Sequence, residues 1–356
     1  MKSEKRFTVS VIGGGKGGNL SIKALINSSR FILKAIADLN PVVCKTLKDS
    51  YPGVKIFTDY LEMFNVCPTD IVCVSTFPSS HEKIAIDALT MLPLKGILVE
   101  KPLGNSVASG RKILELVKKK NIPMTVPHGM LQQKSTVEIL KRVKAGEIGK
   151  LKLVEIQCLK WDIINAGIHW LNYFVNLTNL EKMSYVMAIC DSSTCTYRDG
   201  MQVETIGVVY AQTKSGIRVV MNTGDDILTD PDVPGTPYRI VGSRGLIVFS
   251  SWGGSYYILN SENPSGTVVK TGYYKESPHQ RHLEVMAEMI DSGSVNYDVP
   301  ESSLIALGLV EGAYISNRYR CKVTFPVDSF TPPSFNNWDP GMPYSGIGGG
   351  RDGSKL

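Results

Sequence analysis

Three glycines near the start of the chain, Gly13, Gly15 and Gly18, have the G-x-G-x-x-G spacing of a dinucleotide-binding turn. The apolar run FTVSVI precedes them and a helical pattern follows, which is the strand–turn–helix setting that this motif requires. Gly13 allows the tight turn, Gly15 lets the backbone approach a pyrophosphate, and Gly18 lets the helix pack closely on the strand. Because phosphates bind to free N–H groups at a helix N-terminus, the sequence predicts a dinucleotide cradle, with Lys16 as a further cofactor contact.

Asp38 follows the second apolar strand pattern, ILKAIA, twenty residues beyond the last of these glycines. A carboxylate at this position accepts hydrogen bonds from a ribose diol and repels a 2′-phosphate. The next residues, Leu39, Asn40 and Pro41, include no arginine that would receive such a phosphate. The sequence therefore predicts NAD as the cofactor in preference to NADP.

The elements that must position this turn alternate between buried strands and amphipathic helices. Strand patterns at IVCVST, GILVE and PMTV are separated by the helical patterns HEKIAIDALTML and VASGRKILELVKKK. This alternation indicates an α/β fold, with a doubly wound parallel sheet of the Rossmann type over residues 1–126. Ser75, Thr76, Glu100 and Lys101 fall at the carboxyl ends of strands, where such sheets bind their ligands, and are predicted to contact the cofactor.

The segment VEKPLGNS, residues 99–106, places Lys101 on a turn directly after a buried strand. Together with the GGGKGG turn, STFPSSH at 75–81 and AGIHWLN at 166–172, it resembles the Gfo/Idh/MocA family, which includes glucose-fructose oxidoreductase and inositol dehydrogenase. KAGEIGKLKLVEI at 144–156 is similar to the family's passage from its linking helix into the second domain. The resemblance covers most of the chain.

The resemblance implies that the Rossmann domain is followed by an α+β domain built on a large, mostly antiparallel sheet. The sequence of residues 127–330 agrees with this domain architecture, since seven strand-like runs separated by turn signals are followed by two helical patterns. Residues 331–356 are rich in Pro and Gly and are expected to form an extended tail. Family members commonly pair the open faces of their sheets, so a homodimer or homotetramer through the strands at 202–260 is expected.

The same resemblance implies roles for two residues. The lysine of the family's Glu-Lys-Pro turn points at substrate and nicotinamide and corresponds to Lys101, where a cation stabilises negative charge on the reacting oxygen. The family's Asp-x-x-x-His element, at a helix start, matches its histidine to His169, and an imidazole is suited to proton transfer near neutral pH. Both residues are predicted to act in catalysis and to bind the substrate.

The sequence departs from the family pattern beside this histidine, where Asn165 and Asn172 replace aspartates. Asn165 is predicted to belong to the catalytic group. Its amide can orient the imidazole of His169 but cannot supply the charge that would raise the pKa of that imidazole. Asp162, three residues earlier, is a candidate substitute for that carboxylate. Asp162 and Asn165 are both predicted to border the substrate.

Residues around two strand ends complete the predicted pocket. His128 follows the strand PMTV, where family members place substrate-facing side chains; a surface-loop histidine is an equal alternative. Phe77 and Pro78 stand where the family often has proline and asparagine, so a cofactor contact at Phe77 would run through the backbone. His81 is grouped with this cofactor-binding segment and interpreted as a structural residue.

Composition narrows the class of partner. The net charge of +6 over 356 residues is spread along the chain and indicates neither nucleic acid nor a membrane as a partner. Seven cysteines without a C-x-x-C pair indicate reduced thiols, and the lack of metal-ligand spacing predicts no metal. A cytoplasmic location is expected, although the terminal Ser354-Lys355-Leu356 matches a peroxisomal address in a cell that has peroxisomes.

These observations favour an NAD-dependent oxidoreductase that transfers a hydride between nicotinamide and a hydroxyl-bearing carbon of a sugar, polyol or cyclitol. One alternative is an NAD-retaining glycosidase, which oxidises its sugar transiently and reduces the product again. A different alternative is a non-catalytic NAD-bound sensor or scaffold, which the replacement at Asn165 supports and the retention of Lys101 and His169 opposes.

Overall fold

The computed structural model describes residues 6–191, 196–198, 201–225, 227, 229 and 235–332. The predicted tail at 331–356 lies outside the described residues except for its first two positions, and so does the terminal Ser-Lys-Leu.

The N-terminal part folds into a parallel sheet with helices on both sides. Its strands are β1 (Phe7–Ile12), β2 (Phe31–Ala37), β3 (Lys55–Phe57), β4 (Ile71–Val74), β5 (Gly96–Val99) and β6 (Met124–Thr125). Its helices are α1 (Lys16–Asn27), α2 (Pro41–Ser50), α3 (Tyr60–Val66), α4 (Pro78–Met91) and α5 (Val107–Lys119). The spatial order β3-β2-β1-β4-β5-β6 reverses between β1 and β4, where the carboxyl ends of the strands form a ligand crevice. The predicted doubly wound fold is confirmed.

The central strands of this sheet are apolar throughout because helices cover both of their faces. Every residue of β4 and of β5 is buried. Continuous Val, Ile and Leu runs of this kind belong to parallel sheets, since neither face meets water. Burying one such side chain contributes about 1.5–3 kcal/mol, which fixes the strand ends where the polar residues lie.

The second part of the chain is built on a mixed, mostly antiparallel sheet. Its nine strands are β7 (Leu151–Leu159), β8 (Met183–Asp191), β11 (Ile206–Thr213), β12 (Arg218–Gly224), β13 (Pro237–Gly242), β14 (Leu246–Ser250), β15 (Ser255–Leu259), β16 (Thr267–Lys270) and β17 (Val323–Thr324). The order is β16-β15-β14-β13-β7-β12-β11-β8-β17, in which only the pair β7 and β12 is parallel. A separate ribbon is formed by β9 (Thr196–Arg198) and β10 (Met201–Val203).

One face of the nine-stranded sheet is covered by helices. These are α6 (Lys134–Lys144), α7 (Ile168–Leu177) and α9 (Asp298–Tyr319). Strand β7 alternates as expected for a half-covered sheet, with Val154, Ile156 and Cys158 fully buried. The opposite face is exposed and carries apolar side chains at positions such as Ile189 (76% exposed), whose partner across the ladder is Val208 (42%).

The remaining helix, α8 (Pro278–Ser292), returns to the first part of the molecule. Its buried side chains Leu283, Met286 and Ala287 belong to the hydrophobic core formed by β1, β2 and α1. The core of the Rossmann domain therefore includes a segment far beyond the predicted boundary at residue 126. This return also carries the N-terminus of α8 to the ligand crevice.

Candidate active site

The glycine turn between β1 and α1 is as tight as the motif predicts. Gly13 has a φ of +97°, and a Cβ there would lie 2.3 Å from the main-chain oxygen of Ser75. A Cβ at Gly18 would lie 1.8 Å from the oxygen of Gly13, so the helix packs directly on the turn. A Cβ at Gly15 would meet no atom within 4 Å. Gly15 thus borders open space at the start of α1, where no side chain caps the helix, and this arrangement fits a pyrophosphate.

Asp38 links this turn to the loop after β2. Its carboxylate accepts a hydrogen bond from the N–H of Gly14 at 2.6 Å and another from the N–H of Asn40 at 2.8 Å. The side chain is only partly buried, and each oxygen keeps a further lone pair. Lys16 is exposed at the first position of α1. The structure therefore places both predicted cofactor residues at the rim of the cradle.

The segment after β4 forms the other wall of the crevice. Ser75 is buried against Ser21, Thr76 is partly exposed, and Phe77 is 58% exposed at the start of α4. His81 is fully buried, with Nδ1 2.9 Å from the oxygen of Pro102 and Nε2 3.0 Å from the oxygen of Thr76. Its ring thus joins the two strand-end loops and is closed to direct contact with a cofactor, in keeping with its interpretation as a structural residue.

Glu100 is buried at the end of β5, beneath the glycine turn, where a Cβ on Gly17 would lie 3.4 Å from its Cγ. His279, at the N-terminus of α8, donates to Glu100 Oε1 at 2.8 Å. Burial by itself raises the pKa of Glu100, but the hydrogen bond from His279 and the charges of His279 and Lys101 outweigh it and lower that pKa below its usual value. Glu100 therefore remains a carboxylate, engaged with α8.

Lys101 reaches from the first domain to the second. Its ammonium donates to the main-chain oxygen of Asn165 at 2.9 Å, four residues before His169. Within the described chain Lys101 makes no ion pair with a carboxylate, and its side chain is only partly buried. The predicted catalytic lysine and the predicted catalytic turn are thus in contact.

The turn that carries Asn165 is a π-helical turn, Ile163–Gly167, that leads directly into α7. Two buried carboxylates hold it. Asp162 Oδ1 accepts from the N–H of Asn165 at 2.7 Å and from its side-chain amide at 3.0 Å. Glu204 accepts from the N–H of Ile163 at 2.5 Å, and burial raises the pKa of this glutamate. Side chains therefore satisfy two of the backbone donors of this turn, those of Ile163 and Asn165.

Arg198 completes this support from the outside. Its guanidinium pairs with Asp162 Oδ2 at 2.9 Å and lies 4.4 Å from the ring centre of Trp161. The Asp162 side chain is 1% exposed and that of Arg198 31%. A buried carboxylate is stable only when it is paired, and here Arg198 and Asn165 provide the partners.

His169 lies at the start of α7 and is partly buried as a residue. The ring packs edge-on against that of His128, with centres 5.2 Å apart. Burial lowers the pKa of His169 well below its usual value, and the charge of Lys101 and the nearby imidazoles lower it further. His169 is therefore neutral at physiological pH. Its Nδ1 atom is buried and has no hydrogen-bond partner in the described chain.

The other predicted pocket residues are placed behind His169. His128 is fully buried, with Nε2 2.9 Å from the hydroxyl of Ser303. Asp162 and Asn165 are 2% and 3% exposed and bind each other. The carboxylate of Asp162, the candidate substitute for an aspartate beside His169, is engaged by Asn165 and Arg198. Asn172, also buried, donates to Ser302 on α9.

Sequence reasoning did not identify the contribution of α8. His279 binds Glu100, and His282 lies 3.1 Å from the main-chain oxygen of His128. The segment PHQRHLEVMAEMIDSG shows only an amphipathic helix. Its one usable signal is Ser277-Pro278, a helix start that places His279 in the first turn. Pairing with a residue 179 positions away is not visible in such a pattern.

A separate cleft of about 840 Å³ lies between the ends of α6 and α7 and the turn before β14, far from these residues. It is lined by apolar side chains and by Lys141, Lys144, Lys150 and Arg244. Lys141 and Lys144 belong to the last turn of α6, where cations favour the helix dipole. No group of three His, Cys, Asp or Glu side chains arranged to hold a metal occurs among the described residues. Nor does any helix of the described chain combine the length and apolarity needed to cross a bilayer.

The fold and the glycine turn define a class: a dinucleotide-binding Rossmann domain joined to a sheet-based second domain. Residues 7–128 match a family model, GFO_IDH_MocA, described as an oxidoreductase family with an NAD-binding Rossmann fold. The resemblance to this family is therefore confirmed over residues 7–128, the dinucleotide-binding part of the chain.

Individual relatives are distant. The rhizopine catabolism protein MocA of Rhizobium meliloti is 23% identical over 200 residues, which are 51% of this chain and 61% of that protein. This chain thus spans about six tenths of the length of that curated relative. Two solved structures share the fold over 90% of this chain. An oxidoreductase from Agrobacterium radiobacter in complex with NAD+, L-tartaric acid and magnesium has a TM-score of 0.77, 17% identity and 98% of its own length covered. Levoglucosan dehydrogenase in complex with NADH and levoglucosan has a TM-score of 0.75, 15% identity and 100% covered.

Proposed function

We propose that the chain is an NAD-dependent dehydrogenase that oxidises or reduces one hydroxyl-bearing carbon of a sugar, polyol or cyclitol. The observation that carries the proposal is the contact between Lys101 and the turn of His169. It brings a cation and a neutral imidazole together at the carboxyl end of β5, in the crevice that the glycine turn borders. A cation that stabilises oxygen charge and a base that takes a proton are the two groups that alcohol oxidation requires.

The residues around the cradle would hold the cofactor. Gly13, Gly15 and Gly18 present the N-terminus of α1 to the pyrophosphate, and Asp38 offers carboxylate lone pairs to the adenosine ribose. Bound nicotinamide supplies the hydride acceptor or donor at the reacting carbon. The two relatives crystallised with hydroxyl-rich molecules, levoglucosan and L-tartaric acid, support a substrate of this general chemistry.

In the oxidation direction the substrate O–H gives its proton to His169, whose ring is already neutral because its pKa is held low. Lys101 stabilises the negative charge that develops on the oxygen as the C–H bond breaks. The product is a carbonyl compound, and reduction runs through the same groups in reverse. His128 acts as a positioning residue, because its buried ring fixes the face of His169 that is turned to the crevice.

The test replaces each of the two groups in turn. Lys101→Ala and His169→Ala should each lower turnover with a sugar by about a hundred- to ten-thousand-fold while the Kd for NADH stays within about twofold. Lys141→Ala, in the remote cleft, serves as the matched control and should leave turnover unchanged. Full activity in His169→Ala would remove the histidine from the chemistry and leave it a packing residue.

The same assay separates the alternative functions. D-glucose, myo-inositol, levoglucosan and L-tartrate are offered with NAD and with NADP, and absorbance of reduced nicotinamide is followed. A dehydrogenase accumulates NADH in proportion to product. An NAD-retaining glycosidase releases an aglycone from a glycoside without net NADH, and a sensor binds NADH without turnover of any compound.

A further inference from the structure

We propose that Trp252 is the aromatic wall against which the substrate ring packs, a role that rests on the proposed function. Trp252 lies in the turn between β14 and β15 and has a φ of +66°. A bulky aromatic residue in the left-handed region is a conformational outlier, and Gly or Asn would occupy that position without strain. Residues held in this way concentrate at ligand sites.

The turn that carries Trp252 is held in place by residues at the beginning of α6. The N–H of Trp252 donates to Gln133 Oε1 at 3.2 Å, and the hydroxyl of Ser135 donates to the oxygen of Gly253 at 2.8 Å. Both partners lie at the beginning of α6, shortly after His128 in the chain. The backbone around Trp252 is therefore held in one conformation.

The indole rests on the sequence neighbours of the two histidines. A Cβ on Gly129 would lie 2.5 Å from Cη2 of Trp252, so only glycine after His128 admits the ring. Trp170, the residue after His169, meets the indole edge-on at 6.3 Å between ring centres. The same Gly129 faces Pro278, which precedes His279. The segments that carry His128 and His169 thus meet at this indole, and the segment of His279 adjoins Gly129.

Despite these contacts Trp252 is 47% exposed. The indole therefore keeps open surface next to the segments that carry His128 and His169. The C–H bonds on one face of a sugar or cyclitol ring are apolar and weakly positive, and they pack favourably on the negative face of an indole. Such a wall orients the substrate ring while polar groups hold its hydroxyls.

Replacement of Trp252 by Gly tests the proposal, because glycine relieves the left-handed backbone and removes only the indole. In an enzyme that turns over one of the four compounds above, Trp252→Gly should raise the KM for that compound about tenfold, with the Kd for NADH unchanged. The variant Trp252→Phe keeps a smaller aromatic ring, and its KM should lie between that of the unaltered enzyme and that of Trp252→Gly. Leu180→Gly is the matched control. Leu180 is also apolar and its backbone also lies in the left-handed region (φ 58°), but it lines the remote cleft.

Two outcomes would overturn the proposal. An unchanged KM in a folded Trp252→Gly variant means that the substrate does not touch the indole. An increased Kd for NADH with an unchanged KM for the sugar would mean that the indole contacts the cofactor and not the substrate. Both differ from failure of the proposed function, in which the unaltered enzyme neither turns over nor binds any compound of the panel; in that event the substrate wall is refuted with it.

Discussion

Replacing Asn165 with aspartate should raise the pKa of His169 and destabilise the protein at the same time. In the structure the Asn165 amide donates to Asp162 Oδ1 at 3.0 Å. An aspartate there would set two carboxylates at this separation, where two unit charges repel by about 5 kcal/mol at an effective dielectric constant of about 20. Protonation of one carboxyl relieves part of this repulsion, so we expect a loss of roughly 2–4 kcal/mol in the free energy of unfolding.

The double variant Asp162→Asn with Asn165→Asp separates the two effects. It keeps an amide facing a carboxylate and keeps the net charge, but it moves the negative charge one helical turn before His169. An opposite charge so close raises an imidazole pKa by about one unit or more. The main loss is the ion pair of Arg198, whose guanidinium is 31% exposed and can be solvated by water once the Asp162 charge is gone, so we expect a cost of about 1 kcal/mol.

The measurement is the pH dependence of kcat/KM in the oxidation direction, together with titration of the His169 imidazole by NMR. Neutral imidazole is the active form, and burial and Lys101 hold the pKa of His169 well below 6.5 in the natural chain. The rate of the natural enzyme should therefore fall only in more acidic solution, and the acid limb of the double variant should move up by about one pH unit or more. An unchanged limb and an unchanged NMR titration in a folded double variant would refute the reasoning.

Three further expectations concern the cofactor, assembly and acid stability. Because the Asp38 carboxylate repels a 2′-phosphate, NADH should bind more tightly than NADPH, and Asp38→Ser should narrow the difference; equal Kd values for the unaltered protein would contradict this. The exposed apolar sheet face should pair two copies, so Ile189→Lys should weaken a dimer seen by light scattering, and a monomer at every concentration of the natural chain would end the idea. Burial lowers the pKa of His282 to about 4, so its contribution is present above pH 6.5 and is lost, by about 3 kcal/mol, as the pH falls to 4. Urea unfolding of His282→Gln should show a correspondingly weaker acid dependence, and an acid dependence equal to that of the unaltered protein would contradict the neutral state of His282 in the fold.

The parts of the fold that the sequence predicted are those with a strong local pattern. The glycine turn, the buried strands β1, β4 and β5 and the long helices are all continuous or periodic in apolar residues. The three-residue strand β3 was not predicted, because Lys55–Phe57 has no fully buried position. Strand β16, Thr267–Lys270, is mostly exposed and carries no alternation. A short edge strand forms because it pairs with a neighbouring strand, and the local sequence pattern does not indicate that neighbour.

The residues of the candidate site likewise divide into those that the sequence identified and those that only the tertiary structure shows. Lys101 and His169 were identified through the family resemblance of the segments that carry them, and the structure brings those segments together. Asp162 is a candidate substitute for a carboxylate beside His169 that spacing alone does not establish, and in the structure its carboxylate binds Asn165 and Arg198. His279 joins the site only through the return of α8, a contact of tertiary structure.

That return has a consequence for how the chain folds as it is made. The apolar surface of β1, β2 and α1 is closed by Leu283, Met286 and Ala287 of α8. A ribosome that has completed β6 must still add α6 to α8 before this surface can be covered. At about 5–20 residues per second, the interval lasts roughly 10–30 seconds. During that time the newly made cofactor domain exposes a hydrophobic face, which makes it a natural client for a chaperone, and a fragment that ends at residue 126 would keep this face permanently.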